Sequence, residues 1–274
     1  AGGPVAHPGL VTDVAIGQST VVTHHVKANL FYRGLRFLAM PRLGDTLTTR
    51  TEVVGLRSNR PRPGRVATGL AALRMVTTDQ DGRTVLDFHR CAMLPLSEGA
   101  DPGAHVRTDD LSTIGTGGTG RWTAPYGWDL AAYRAAVPGA GDPPPAAGTV
   151  LRAGADVVSG APELARLTLN IAETHHDARV SGAGRLVYGG HTIGLALSQA
   201  CRVLPTMVTV LGWHACDHLG PVREGDTLGS DVVVGAAHAL PGGGTALDLR
   251  SLVTAHREDG DVPVLDWSFT ALLP

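Results

Sequence analysis

A run of polar residues in the second half of the 274-residue chain has side chains suited to proton transfer. The run reads Glu173, Thr174, His175, His176 and Asp177. Histidine can serve as a general base or acid because its unperturbed pKa of about 6.5 lets it accept and return a proton near neutral pH. His175 is therefore the leading candidate for the general base and acid. Asp177 and Glu173 are the carboxylates that could assist it.

A glycine turn and an apolar helix follow this run. The predicted helix begins at Gly189-Gly190 and carries mainly Ile, Leu, Ala and Val as far as residue 204. A helix that is apolar nearly all round is a buried helix. Its N-terminus carries unsatisfied N–H groups and the positive end of the macrodipole, so it favours an anionic intermediate. Glycine permits close approach there, and Tyr188 and His191 flank the turn as predicted substrate-binding residues.

A shorter helix is predicted before the polar run, over residues 159–172. Ser159 can cap its N-terminus. Leu164, Leu167 and Ile171 recur at helical spacing and are expected to give the helix one apolar face.

Composition excludes several classes of protein. A net charge of −2, no long run of Lys or Arg, and only four each of Phe, Tyr and Trp argue against nucleic acid as a partner. No apolar run reaches the ~18 residues that a membrane helix requires, so no membrane partner is expected. Cys91, Cys201 and Cys216 make no CxxC pair, which fits a reducing compartment and predicts a cytoplasmic protein. Because the chain begins with Ala rather than Met, further residues upstream are expected.

The chain contains an internal repeat. A shift of 181 residues places RLGDTL (42–47) on REGDTL (223–228), and a shift of 179 places VLDF (85–88) on VLDW (264–267). Each repeat predicts one buried helix followed by four or five antiparallel strands, and two such repeats can pair edge to edge. Only the second repeat carries the polar run, because its counterpart would precede residue 1. The predicted units are a first repeat at 1–97, a Gly/Pro-rich connector at 98–157 and a second repeat at 158–274.

Three stretches of the sequence point to a known family. They are LTLNIAETHHDARVSGAGRLVYGGHTIGLALSQA (167–200), GWHACDHLGPVREGDTL (212–228) and NLFYRGLRFLAMPRLGDTL (29–47). The chain resembles the double hot-dog members of the MaoC-like (R)-specific enoyl-CoA hydratase family, in its mesaconyl-CoA hydratase (β-methylmalyl-CoA dehydratase) branch. The resemblance implies an α+β double hot-dog fold. It also implies a lyase that hydrates a short, carboxylated enoyl-CoA reversibly, with an acyl-CoA as its partner and without a cofactor.

The chain departs from the family's site motif, Asp-x-Asn-Pro-x-His. His175 occupies the His position, but Asn170 stands at the Asp position and Ala172 at the Asn position. Asn170 can orient a water molecule but cannot take its proton, because an amide has no useful basicity near neutral pH. Either His175 acts alone as the base, or Glu173 or Asp177 completes the pair.

Other polar groups are assigned to binding. The resemblance implies that a main-chain N–H at Gly189 or Gly190 binds the thioester oxygen. In the basic loop at 57–65, three arginines are expected to hold the phosphates of coenzyme A: Arg60, Arg62 and Arg65. A substrate carboxylate would need an arginine in the pocket, and the candidates are Arg33, Arg36, Arg179 and Arg185. Three polar residues alternate along a strand, so that one is expected to face the pocket: His214, Asp217 and His218.

Two other functions stay open. A hot-dog thioesterase would need an acidic residue at the buried helix, and residues 190–204 contain none. A non-catalytic acyl-CoA or acyl-carrier binding protein is the second alternative, with Asn170 as its main support. The oligomeric state is also open, with a homodimer as one alternative.

Two kinds of site are not predicted. His175, His176 and Asp177 could form a metal site on paper, but adjacent residues rarely converge on one ion, so no metal is expected. The GTGGTG run at 115–120 has no GK[ST] and no helix after it, so no nucleotide site is expected there.

Overall fold

The computed structural model of the chain describes residues 3–97, 99, 101, 103, 106–117, 122–125, 127–180, 184–241 and 243–274. In these residues, ten strands form one antiparallel sheet. The first half contains α1 (Pro8–Gln18), β1 (Ala28–Phe37), β2 (Thr48–Ser58), β3 (Thr68–Thr78) and β4 (Thr84–Pro95). The middle of the chain contains α2 (Leu130–Ala136), β5 (Val150–Arg152), β6 (Asp156–Val157) and α3 (Ala161–Leu167). The second half contains α4 (Gly189–Val203), β7 (Thr209–His218), β8 (Thr227–Ala239), β9 (Thr245–Arg257) and β10 (Gly260–Leu273).

The two halves repeat one order of elements, a main helix followed by four long strands. The strand order in the sheet is β2-β3-β4-β1-β7-β10-β9-β8-β5, and β6 also pairs with β8. The halves meet where β1 pairs with β7, with Tyr32 opposite Cys216. Arg33 and Asp217 form an ion pair across this junction, with 2.5 Å between nitrogen and oxygen. The internal repeat of the sequence therefore corresponds to two halves joined edge to edge.

One apolar core joins both main helices to the sheet. Ala15 of α1 and Ala196 of α4 lie in the same buried cluster as the large side chains of β7 and β10. Trp213 and Trp267 meet edge to face at 5.4 Å between ring centroids. Most of the surface of α4 is buried, as its composition predicts.

The end of the predicted connector takes part in the sheet, since β5 and β6 both pair with β8. The unit boundaries at residues 97 and 158 remain a proposal.

The helix predicted over residues 159–172 is shorter than expected. Gly160, with φ of 68°, takes the N-cap position in place of Ser159. The helix closes at its other end because Leu169 adopts φ of 63° and the N–H of Asn170 bonds to a carbonyl five residues earlier, at 2.8 Å. The predicted apolar face is lost with the last turn, so Leu167 is 77% exposed.

The residues from α3 onward, 161–180, are here called the crossing segment because they lie across α1. The N–H of Ile171 donates to Oγ1 of Thr20 at 2.9 Å, and the N–H of Glu173 donates to the carbonyl of His24 at 3.3 Å. A Cβ at Gly17 of α1 would lie only 1.7 Å from the carbonyl oxygen of Thr168. A residue without a side chain is therefore required at position 17 for the crossing segment to reach its place.

Strand boundaries differ from the prediction at two places. The valines and the alternating apolar residues at 21–37 predict an extended stretch, but the strand begins only at Ala28, after a 3₁₀ turn at Ser19–Val21. The strand pattern also predicts separate strands at 207–213 and 219–222, but the first runs on to His218 as β7 and the second does not form.

No described helix combines the length and apolarity needed to cross a bilayer. Part of the GTGGTG run, residues 118–120, lies outside the described residues.

We predict that Gly17→Ala lowers the free energy of unfolding by more than about 2 kcal/mol, because the new methyl group would collide with the main chain of the crossing segment. Gly194→Ala is the matched control. It changes a glycine of α4 whose Cβ would meet nothing within 4 Å, so it should be neutral or stabilising by up to ~1 kcal/mol. Urea unfolding of both variants measures the difference, and similar effects in the two would contradict the prediction.

Candidate active site

A cavity of about 850 Å³ opens between the halves, beside the N-terminus of α4. The crossing segment and the start of α4 form one wall, and strands of the first half form the other. The polar residues of its lining come from both halves: Thr20, Lys27, Asn29, Tyr32, Arg65 and Arg90 from the first, and Asn170, Thr174, His175, Tyr188, Thr192, His218 and Arg223 from the second.

His175 lies at the end of a 3₁₀ turn (Glu173–His175) and is 8% exposed. Its Nδ1 is 2.9 Å from the carbonyl oxygen of Leu186. Because a carbonyl can only accept, Nδ1 carries the proton and Nε2 keeps its lone pair. Burial lowers the pKa of His175 to about 4, and the nearby charge of Arg90 adds to this effect. His175 is therefore a neutral base in a cavity.

Asn170 is 1% exposed and comes directly after the left-handed Leu169. Its Oδ1 accepts the N–H of Ala172 at 3.0 Å, so the acceptor of the amide is occupied. Its Nδ2 is buried and has no hydrogen-bond partner among the described residues. Since Asn170 lines the cavity, it offers a donor to an oxygen atom bound there.

Four residues at the start of α4 are predicted to bind substrate, and two of them, Tyr188 and Gly189, line the cavity. Gly189 lines the cavity, and a Cβ on it would lie 2.7 Å from the ring of His218. Tyr188 also lines the cavity, and its hydroxyl donates to the main-chain carbonyl of Asp13 at 3.2 Å. No side chain caps this helix N-terminus.

Gly190 and His191 do not line the cavity. Gly190 faces α1, where a Cβ would come within 2.0 Å of Oδ1 of Asp13. His191 turns away from the cavity, and burial lowers its pKa. Gly189 and Thr192 line the cavity while the two residues between them do not, because successive helical residues point about 100° apart.

The structure does not bring the two candidate carboxylates to the cavity. Asp177 pairs with Arg179 at 2.6 Å, and hydrogen bonds from this arginine lower the pKa of Asp177 to about 2. Glu173 lies at the surface, with its oxygens 3.2 Å from His25 and 3.8 Å from His24. Among the described residues that line the cavity, none is acidic.

Of the three polar residues that alternate along β7 (His214, Asp217 and His218), His218 faces the cavity. Its Nε2 is buried without a partner in the described structure, and burial lowers the pKa of His218 to about 4. Asp217 points to the other face, where it pairs with Arg33. His214 lies 2.9 Å from the hydroxyl of Thr270, outside the cavity.

Of the three arginines predicted to bind coenzyme A, only Arg65 lines the cavity. Arg60 and Arg62 are exposed in the loop between β2 and β3. Two cations that sequence analysis did not single out, Lys27 and Arg223, join Arg65 in the lining.

Sequence analysis also missed Asn29 and Arg90, which belong to β1 and β4 of the first half. A signal for Arg90 exists in VLDFHRCAML, where strand alternation puts this arginine on the same face as the buried Phe88. No local signal marks Asn29, because its role depends on a wall built by the other half.

Comparison with known proteins gives relatives along nearly the whole chain. It is 28% identical over 289 aligned residues to β-methylmalyl-CoA dehydratase of Chloroflexus aurantiacus, covering 97% of this chain and 80% of that protein. It is 30% identical over 268 residues to mesaconyl-CoA hydratase of Cereibacter sphaeroides, covering 90% and 76%. No protein-family model matches the chain.

Solved structures give the same picture of the fold. A Mycobacterium tuberculosis protein described as having a double hot-dog fold is 59% identical, with a TM-score of 0.88, over 99% of this chain and 83% of that one. A MaoC-domain dehydratase, described as putative, from Chloroflexus aurantiacus is 27% identical, with a TM-score of 0.79, over 98% and 82%. The predicted α+β double hot-dog fold is confirmed.

We predict that His175 stays neutral from pH 8 to about pH 5, with its proton on Nδ1. Its titration midpoint should lie near 4, because burial disfavours the charged ring. The folded pKa is below the unfolded value of about 6.5. The contribution of the neutral, buried His175 to the free energy of unfolding is therefore complete above pH 6.5 and is lost as the pH falls towards 4. Side-chain ¹⁵N NMR, with the His175 signal assigned from His175→Gln, measures both quantities. A midpoint near 6.5, or a proton on Nε2, would contradict the prediction.

Proposed function

Because the chain belongs to the MaoC-like double hot-dog family of mesaconyl-CoA hydratase and β-methylmalyl-CoA dehydratase, we propose that it hydrates a short, carboxylated enoyl-CoA reversibly. The relatives make the chain an enzyme of the hydratase/dehydratase class, a hydro-lyase. The finer proposal rests mainly on one observation. The neutral His175 and the uncapped N-terminus of α4 share a cavity that also offers the unpartnered amide of Asn170.

In the proposed reaction, Asn170 and His175 act on one water molecule. Nδ2 of Asn170 donates a hydrogen bond to the water oxygen, which leaves the water protons directed at Nε2 of His175. The water oxygen forms a bond to the β-carbon of the enoyl group, one water proton moves to Nε2, and the π electrons of the double bond move onto the thioester as an enolate. This step needs a histidine that is neutral beforehand, as the low pKa of His175 provides.

The second step returns the proton. The enolate oxygen carries the developing negative charge, and the main-chain N–H of Gly189 at the positive end of α4 is placed to stabilise it. Nε2–H of His175 then delivers its proton to the α-carbon, which completes the addition of H₂O across the double bond. Because burial lowers the pKa of His175, its protonated ring gives up a proton more readily than a solvent-exposed imidazolium, which favours this delivery. Dehydration follows the same steps in reverse.

The alternatives fit the cavity less well. Hydrolysis of a thioester by a hot-dog protein would need a carboxylate beside α4 that reaches the cavity. Asp13 lies against Gly190 of α4 but does not line the cavity, and none of the described lining residues is acidic. A non-catalytic binding protein would not need a buried imidazole with an available Nε2. Asn170 in place of Asp still supports binding without catalysis, and measured turnover separates these two hypotheses.

Coenzyme A is proposed to enter past the cationic rim formed by Lys27, Arg65 and Arg223. Its phosphates would gain charge-assisted hydrogen bonds there. A cytoplasmic location is part of the proposal, since all three cysteines are free thiols.

We predict that His175→Gln lowers kcat/KM for hydration of mesaconyl-CoA by at least about 100-fold, because glutamine cannot take the water proton. The control is His256→Gln, which removes an exposed histidine paired with Asp261. Mass spectrometry in H₂¹⁸O follows the gain of labelled water in both variants and the wild type. Turnover that survives His175→Gln would refute its role, and absence of turnover in the wild type would favour the binding hypothesis.

We predict that Arg65→Ala raises KM for the CoA thioester about 3- to 10-fold, because a phosphate contact is lost. KM for the matching N-acetylcysteamine thioester should not change, since this substrate lacks the nucleotide and its phosphates. Arg62→Ala, in the same loop but outside the cavity lining, is the matched control. Equal effects of the two variants would contradict a specific role for Arg65.

A further inference from the structure

Arg90 is a buried cation in the wall of the cavity. It lies in β4 of the first half, is 3% exposed, and lines the same cavity as His175. Its guanidinium donates to the hydroxyl of Thr23 and hydrogen-bonds to the phenol of Tyr32. Nε of Arg90 is buried and has no partner among the described residues. The side chain is held in place by neutral groups and retains an unused donor.

No acidic residue of the described structure balances this charge. No carboxylate oxygen lies within 4 Å of the guanidinium in the described ranges. The buried acid of this region, Asp13, contacts Tyr188 and Gly190 instead, and burial raises its pKa to about 7. A guanidinium remains protonated in proteins, and a buried charge without a counter-ion costs several kcal/mol. The cavity therefore has a site of positive charge that an anionic group would complete.

The other arginines considered for this role are engaged elsewhere. Arg33 pairs with Asp217, Arg179 with Asp177, and Arg185 with Glu224. Arg36 lies over the ring of Trp122 at 5.5 Å. None of these four lines the cavity.

Asn29 extends the same site. It lines the cavity, and both polar atoms of its side chain are buried without a partner in the described structure. Asn29 pairs with Ala92 on β4, two residues from Arg90 and on the same face of the strand. A guanidinium and an amide side by side can bind the two oxygens of one carboxylate.

We propose that Arg90, assisted by Asn29, binds a carboxylate carried by the acyl group, so that the enzyme selects short dicarboxylic acyl-CoA esters over monocarboxylic ones. This inference rests on the proposed function in assigning the cavity to an acyl-CoA. Arg90 lies close enough to His175 to affect its ionisation electrostatically. Because Arg90 and His175 line the same cavity, a carboxylate bound at Arg90 and the reacting double bond would belong to one short acyl group.

A binding experiment tests this proposal without relying on turnover. Succinyl-CoA and butyryl-CoA have four-carbon acyl groups of the same length, and only the first carries a terminal carboxylate. Isothermal titration calorimetry should find that the wild type binds succinyl-CoA about 10- to 100-fold more tightly than butyryl-CoA. In Arg90→Gln this preference should fall to within about 2-fold, and in Arg90→Lys part of it should remain.

Two controls keep the result interpretable. Arg250→Gln removes an arginine that pairs with Asp266 outside the cavity, and it should leave the preference unchanged. The ratio of two affinities measured on one protein sample is insensitive to a fraction of unfolded protein. If Arg90→Gln does not fold, Asn29→Ala and the wild-type ratio still test the site.

Failure of this inference differs from failure of the proposed function. Equal affinity of the wild type for both esters, or an equal loss of both in Arg90→Gln, would overturn the carboxylate site even if the enzyme hydrates enoyl-CoA. A preference lost in Arg90→Gln would support the site even in a protein that adds no water. The hydration assay on His175→Gln decides the second question separately.

Discussion

The close approach of the crossing segment to α1 is the contact on which the site depends. At Gly17 the two main chains lie so near that no side chain fits between them, and the hydroxyl of Thr20 accepts the N–H of Ile171. This contact fixes the residues just after α3, where Asn170 and His175 lie. It also brings the crossing segment against the first half, so that His175 and Arg90 line one cavity from opposite halves of the chain.

Burial decides the charge state of the groups in this cavity. The lining has a buried arginine and two histidines but, among its described residues, no acid. Burial lowers the pKa of both histidines and keeps them neutral, and the charge of Arg90 adds to this effect at His175. The same field favours anions, which suits an enolate at the start of α4 and a carboxylate beside Arg90. Under the proposed function, carboxylate binding at Arg90 and proton transfer by His175 thus both depend on a buried cavity that has a positive charge and, among its described lining residues, no acid.

The two halves have come to contribute different chemistry. Under the proposed function, the second half provides the base His175, the water-binding amide of Asn170 and the N-terminus of α4. The strands of the first half place Asn29, Tyr32 and Arg90 in the cavity. Under the proposed function, the sheet of the first half therefore forms the wall that contacts the acyl group.

The sequence alone determined the two-fold repeat, nearly all the strands, the buried α4 and the choice of His175 as a residue of the cavity. These features follow from local periodicity, glycine turns and a repeated pattern, which neighbouring residues define among themselves. Tertiary structure alone decided that α3 ends at Leu167, that Asp177 turns to Arg179 and that Arg90 faces the cavity. Each of these outcomes depends on contacts between residues far apart in the chain or on which of several nearby charges pair. The spacing of residues along the sequence specifies neither the long-range contacts nor the choice of ion-pair partner.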